Sequence, residues 1–114
     1  MKILKLESRF WMTIEGEKVF GRGPYMLLKT VDRLGSLNKA CKELNMSYSK
    51  AWAIINRAEK LLGYNLLNRE TGGVDGGGSC LTDKAKDLIK AYEDFTKEAE
   101  ETVEKIYEKF FRNI

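Results

Sequence analysis

The stretch from Leu34 to Gly63, LGSLNKACKELNMSYSKAWAIINRAEKLLG, decides the fold. Two helical patterns are separated there by a tight break at Asn45-Met46-Ser47, the arrangement of a helix-turn-helix. Gly35 can adopt the left-handed conformation that ends a preceding helix, and the Ser36 hydroxyl can then accept from free N–H groups of the next helix, which starts near Leu37. Ser47 repeats that capping chemistry ahead of the second helix, and Gly63 can terminate it by relieving the steric penalty of positive φ. In the first helix Leu37, Ala40, Cys41 and Leu44 are spaced to face inward, whereas Lys39, Lys42 and Glu43 face water or a phosphate backbone.

On the second helix Ala51, Ile54, Ile55, Ala58, Leu61 and Leu62 recur at intervals of three and four and form one continuous buried face. The opposite face holds Ser49, Lys50, Ala53, Asn56, Arg57 and Lys60, with Tyr48 and Trp52 at its flanks. Small groups permit close approach, amides and hydroxyls can bond bases, and cations can bond phosphates, as a recognition helix requires. Any solvated helix face could have this composition; the Ser-capped helix and tight turn in front of it are what point to DNA. Trp52 has two possible uses, packing with a partner for its indole N–H or reaching a phosphate.

Working upstream, Gly23-Pro24 marks the start of a supporting helix, because proline lacks an N–H that the first turn cannot use. Met26, Leu27, Val31 and Leu34 space out its apolar stripe. Between Ile3 and Phe20, apolar residues alternate most clearly at Phe10, Met12 and Ile14, which predicts half-buried strand with a turn at Glu15-Gly16-Glu17-Lys18. Trp11 falls on the other face, so it is either covered by a neighbouring helix or a partner chain or partly exposed; cover is the expectation.

Downstream, Tyr64 to Arg69 reads as a strand and Ser79-Cys80-Leu81 as its returning partner, with the glycine-rich stretch Thr71 to Gly78 between them. A hairpin after the recognition helix is the wing of a winged helix. A nucleotide-cradling loop would need a Gly-Lys-Ser/Thr ending, which is missing. Thr82-Asp83 caps a long last helix in which Ala85, Leu88, Tyr92, Phe95, Ala99, Thr102 and Ile106 form a heptad seam, widened by Val103, Tyr107, Phe110 and Phe111. About thirty helical residues span roughly 45 Å, more than a small domain covers by itself. The seam needs a partner, either the N-terminal hairpin and first helix or the same helix of a second subunit. Dimerisation is expected, through Leu88, Tyr92, Phe95, Ala99, Val103, Ile106 and Phe110.

At 114 residues the chain fits one compact unit: residues 1–82 as the DNA-binding part with its N-terminal hairpin, and residues 83–114 as the C-terminal helix. Histidine is absent and Cys41 and Cys80 are far apart, so zinc motifs, CxxC motifs and Ser-His or Cys-His nucleophiles are excluded. No metal, cofactor or enzymatic activity is expected. The opening MKILKLESRF interrupts its apolar residues too soon for a signal peptide, and no run is long enough to cross a bilayer, so a cytoplasmic protein without membrane partners is expected. The net charge of +3 is unevenly spread: seven Lys/Arg against nine Asp/Glu from Asp83 onward leave thirteen against eight before it. A basic domain followed by a mildly acidic helix suits an anionic partner for the first and a protein partner for the second.

The motifs Gly35-Ser36-Leu37, Met46-Ser47-Tyr48, Lys50-Ala51-Trp52 and Ile55-Asn56, and above all Arg69-Glu70-Thr71-Gly72-Gly73 followed by Gly76-Gly77-Gly78 and Leu81-Thr82, resemble the N-terminal DNA-binding domain of the ModE family. These are bacterial molybdate-responsive regulators related to the LysR-type helix-turn-helix group. The resemblance implies an α+β, mainly α, winged helix-turn-helix that dimerises through long flanking helices and binds double-stranded DNA. Val74-Asp75 stands where the family's wing usually carries a basic residue, so wing contact should be weaker or differently aimed. The family's oxyanion-binding domains have no counterpart before Ile114, so molybdate is not expected on this chain. The expectation is therefore a homodimeric transcriptional regulator whose Ser47–Leu62 helix enters the major groove. Its contacts would be Tyr48, Ser49, Lys50, Ala53, Asn56, Arg57 and Arg69. The alternative is a winged-helix protein-interaction module that partners another regulator through its C-terminal helix.

Overall fold

A computed structural model describes residues 2–69 and 78–114 of the chain. The element order is β1 (Met12–Ile14), β2 (Glu17–Phe20), α1 (Arg22–Leu34), α2 (Leu37–Glu43), α3 (Tyr48–Leu62), β3 (Leu67–Arg69), β4 (Ser79–Leu81) and α4 (Asp83–Phe111). Two antiparallel hairpins, β1-β2 and β3-β4, flank a three-helix unit, and α4 extends from it. This is a winged helix-turn-helix.

Local chemistry sets the helix boundaries. Gly35 and Gly63 end α1 and α3 at φ of 71° and 82°, and each cap N–H donates back to a carbonyl four residues earlier. The Ser36, Ser47 and Thr82 hydroxyls accept from the N–H groups of Lys39, Lys50 and Ala85 at 3.1–3.2 Å, capping the starts of α2, α3 and α4. Asn45 supplies the positive φ, 53°, that turns the chain between α2 and α3.

Several sequence expectations are corrected. Strand structure begins only at Met12, and residues 2–11 lie outside any strand, because β2 pairs with residues 12–14 alone. The turn is tighter than expected: Glu15 and Gly16 both have positive φ, as in a two-residue hairpin loop. α1 starts at Arg22, so Pro24 is its third residue, still within the turn whose N–H groups lack intrahelical partners. Within α1, Met26 is exposed, and Leu28 and Thr30 join Leu27 and Val31 inside. Thr30 can be buried because its hydroxyl donates to the Met26 carbonyl at 2.7 Å. Residues 64–66 are not strand: Leu66 N–H bonds a carboxylate of α3 instead of a ladder partner. Trp11 is 56% exposed, so no helix of its own chain covers it.

One core joins these elements. Phe20, Leu27, Leu28, Val31, Ile55 and Leu66 are its largest fully buried side chains, with Ala40, Ala51, Ala58 and Ala85 at close crossings. The proximal part of α4 is anchored to α1 and β2. Tyr92 packs edge-on against Phe20, with ring centroids 5.3 Å apart, and tilted against Tyr25 at 5.2 Å. Its hydroxyl donates to the Phe10 carbonyl at 3.1 Å. Glu93 accepts from the Tyr25 hydroxyl at 2.5 Å and pairs with Lys29 at 3.1 Å. That hydrogen bond pushes the Tyr25 phenol up to about 12, and the same bond, reinforced by Lys29, holds the Glu93 carboxyl below its ordinary value.

Candidate functional site

α3 divides cleanly into two faces. Ala51, Ile55 and Ala58 are buried, and Ile54, Leu61 and Leu62 pack half-buried around them. Ser49, Lys50, Ala53, Asn56, Arg57 and Lys60 are all exposed, at the three- and four-residue spacing that puts them on one side of the helix. The structure therefore brings together five of the seven residues expected to meet DNA, namely Ser49, Lys50, Ala53, Asn56 and Arg57. Tyr48 stands beside them, 48% exposed, at the first position of α3. Trp52 is half-buried and packs against the core, with its ring edge-on to Tyr48 at 6.0 Å, so of its two possible uses the packing one is realised. Arg69 closes β3 opposite Ser79, and its side chain, like the glycine-rich residues 70–77 with Val74 and Asp75, lies outside the described residues.

Four contacts hold this face in place. Ser47 caps α3 as described, which fixes where its first turn begins. The Arg33 guanidinium pairs with the Glu43 carboxylate, tying the end of α1 to the end of α2. Glu59, on the side of α3 away from the exposed stripe, accepts from the N–H groups of Leu66 at 2.8 Å and Leu67 at 3.3 Å, and so clamps the first wing strand to the helix. The second wing strand is tied to the α1–α2 junction, where Ser79 N–H donates to the Gly35 carbonyl at 3.0 Å. Sequence reasoning did not single out Glu59. The available signal was an acid in a helix whose other charged residues are cationic.

The expected dimer residues divide between two environments. Tyr92 is 8% exposed in the core, and Leu88 packs half-buried against it, so both are used within the chain and are not free for a partner. Ala99 and Val103 are half-buried, whereas Phe95 (53%), Ile106 (52%) and Phe110 (65%) project outward. The 29 residues of α4 reach about 43 Å at 1.5 Å each, against a longest molecular extent of 61 Å.

Burial pushes the Cys41 thiol up, away from the reactive thiolate. Among the described residues no three His, Cys, Asp or Glu side chains gather as they would around a metal ion. No helix among them is long and apolar enough to cross a membrane.

Comparison with known proteins places this geometry in context. The family described as bacterial regulatory helix-turn-helix proteins, lysR family, matches residues 25–86, a span that contains all of α2, α3, β3 and β4. The transcriptional regulator ModE of Haemophilus influenzae is 40% identical over 67 residues, which are 59% of this chain and 26% of that protein. The DNA-binding transcriptional dual regulator ModE of Escherichia coli K12 is 39% identical over the same shares. The molybdenum transport protein ModE of Azotobacter vinelandii is 32% identical over 83 residues, 73% of this chain and 31% of that one. The chain thus spans only about a quarter to a third of the length of these relatives. Among solved structures, ArgP from Mycobacterium tuberculosis has the same fold over 75% of this chain and 30% of its own, with a TM-score of 0.53 and 22% identity.

Proposed function

The chain belongs to the lysR family of bacterial regulatory helix-turn-helix proteins, and from that premise we propose that it is a sequence-specific DNA-binding transcriptional regulator acting as a homodimer. The observation that carries the reading is the exposed face of α3, which gathers Ser49, Lys50, Ala53, Asn56 and Arg57 opposite a buried one. In this reading the N-terminal half of α3 enters the major groove. Asn56 is of a type that pairs with adenine edges, Lys50 and Arg57 with guanine edges or phosphates, and Ser49 with either. Ala53 keeps the helix close to the base edges, and Tyr48 and Arg69 support from the flanks. An acid at Asp75 in the glycine-rich sequence repels phosphate, so backbone contact there is expected to be weaker.

Dimerisation is assigned to the outward part of α4, Phe95, Ala99, Val103, Ile106 and Phe110, without Leu88 and Tyr92. Two-fold symmetry sets the half-sites about one helical turn, roughly 34–36 Å, or a multiple apart. Molybdate is not part of the proposal.

Binding to duplex DNA as a function of salt tests the reading. Lys50→Ala and Arg57→Ala should each weaken binding, and a residue that only neutralises phosphate should lower the salt slope by about one. Unchanged affinity and slope in both variants would remove α3 from the interface. Absence of binding to any duplex at low salt would favour a protein-interaction module.

A further inference from the structure

Residues 2–10 run along α4 in the opposite direction to it. Phe10 meets Phe95 edge-on at 5.5 Å, Leu6 and Ser8 share a groove with Glu100 and Glu104, and Leu4 lines another with Tyr107 and Phe111. Exposure alternates: Leu6, Ser8 and Phe10 are half-buried, while Lys5, Glu7, Arg9 and Trp11 face solvent. This is the pattern of a strand with one face on a helix. Yet among the described residues, no backbone–backbone hydrogen bond involves residues 2–10, and β2 pairs only with the continuation of this segment at residues 12–14. Glu7 and Arg9 are likewise without an ion pair among the described residues. Apart from the Phe10 carbonyl, which accepts from the Tyr92 hydroxyl, this extended edge offers backbone groups without a strand partner, a template for another strand.

We infer that the occupant is the same segment of a second copy: residues 4–12 of two chains pair as antiparallel strands about a two-fold axis at Ser8. The inference rests on the dimer proposed above and specifies how it forms. A two-fold contact must be self-complementary, and the sequence satisfies this in one register. Centring on Ser8 sets Glu7 opposite the partner's Arg9 twice, Leu6 opposite Phe10, Leu4 opposite Met12, and Lys5 opposite Trp11. Centring on Glu7 instead sets Lys5 against Arg9 and Glu7 against itself. Centring on Leu6 also pairs Lys5 with Glu7, but it sets Leu4 against Ser8 and Lys2 against Phe10 and leaves Trp11 and Met12 unmatched. A shift by one residue would turn the charged row onto α4. With Ser8 at the axis, the two α4 helices lie antiparallel on one face of the strand pair. The exposed Phe95, Ile106 and Phe110 of each then face the other copy.

Cross-linking and sedimentation equilibrium of the full chain test this. In a Cys80→Ser background, which removes the exposed native thiol, Ser8→Cys should form an intermolecular disulfide rapidly on mild oxidation. Lys5→Cys should not, because the two copies of position 5 would be about 20 Å apart at 3.3 Å per residue. Glu7→Arg or Arg9→Glu alone should weaken self-association roughly three- to tenfold, and the double exchange should restore it, since opposite charges again face each other. A dimer of unchanged affinity in every charge variant, with Ser8→Cys linking no faster than Lys5→Cys, overturns the strand pairing and leaves dimerisation standing. A chain that is monomeric at every concentration overturns both.

Discussion

Phe20 and Phe110 are the same residue type in regular secondary structure, yet the first is fully buried and the second is 65% exposed. The contrast extends to the regions around them. The helix-turn-helix core is covered from within the chain, by β2, the wing and the proximal part of α4. The distal part of α4 is covered on one side only, by residues 2–10. A single chain thus finishes its DNA-facing module but leaves its arm open, and the open half carries Ile106 and Phe110, with Phe95 meeting Phe10 at its border, where a solvated helix would carry charge. The proposed association is assigned to the second region, and stability to the first.

Substitutions in the two regions should therefore separate two measurements. Phe20→Ala, which empties a fully buried site beside Tyr92, should cost about 3–5 kcal/mol of unfolding free energy. Phe110→Ala should leave the thermal stability of the dilute chain within about 0.5 kcal/mol, as for exposed sites, while raising its dimer dissociation constant. If Phe110→Ala unfolds the chain or leaves association unchanged, the contrast between core and arm fails.

A smaller effect is expected where the core meets the reading face. Ser47→Ala removes the hydroxyl that caps α3 and should cost about 1 kcal/mol, visible as a shift in denaturant midpoint. Because the cap fixes the first turn that carries Ser49 and Lys50, DNA affinity should fall more than stability does at temperatures where the chain is fully folded.

The smallest effect is a pH dependence of the contact that anchors α4 to α1. The Glu93 carboxyl is held below its ordinary value by Tyr25 and then Lys29, so its contribution is present at neutral pH and is lost as pH falls through the depressed value. Tyr25, pushed up to about 12, loses its contribution at the other end, as pH rises from about 10 through about 12. Glu93→Gln should flatten both limbs of a stability–pH curve. The change at neutral pH should stay within about 1 kcal/mol, since the pair is over a third exposed.

Features whose chemistry is local were legible in the sequence. The caps at Gly35, Ser36, Ser47, Gly63 and Thr82 each depend on a residue and its immediate neighbours, and each was read from residue type. The faces of α2 and α3 followed from periodicity. Features that depend on distant partners were not legible. Thr30 is buried because its hydroxyl finds the Met26 carbonyl, and Tyr92 leaves the heptad seam because Phe20, Tyr25 and Phe10 take it up. Leu66 leaves the strand because Glu59 captures its N–H. Between Ile3 and Phe20 the sequence predicts strand, with alternation clearest at Phe10, Met12 and Ile14, but a strand also needs a neighbour, and among the described residues none pairs with residues 2–10. On the candidate site, the composition of α3 indicated which side chains face outward, whereas the clamp that holds the wing to α3 emerged only from the fold.

In the proposed reading, the exposed face of α3 reads DNA as one half of a symmetric pair. Selection of bound sequences from a random duplex pool by the intact chain tests it most directly. Enrichment of an inverted repeat whose half-sites are centred about one helical turn, or a multiple, apart is expected, with loss of that enrichment when Asn56 and Arg57 are replaced by Ala. Recovery of no sequence preference, or of a motif that survives those replacements unchanged, would contradict it.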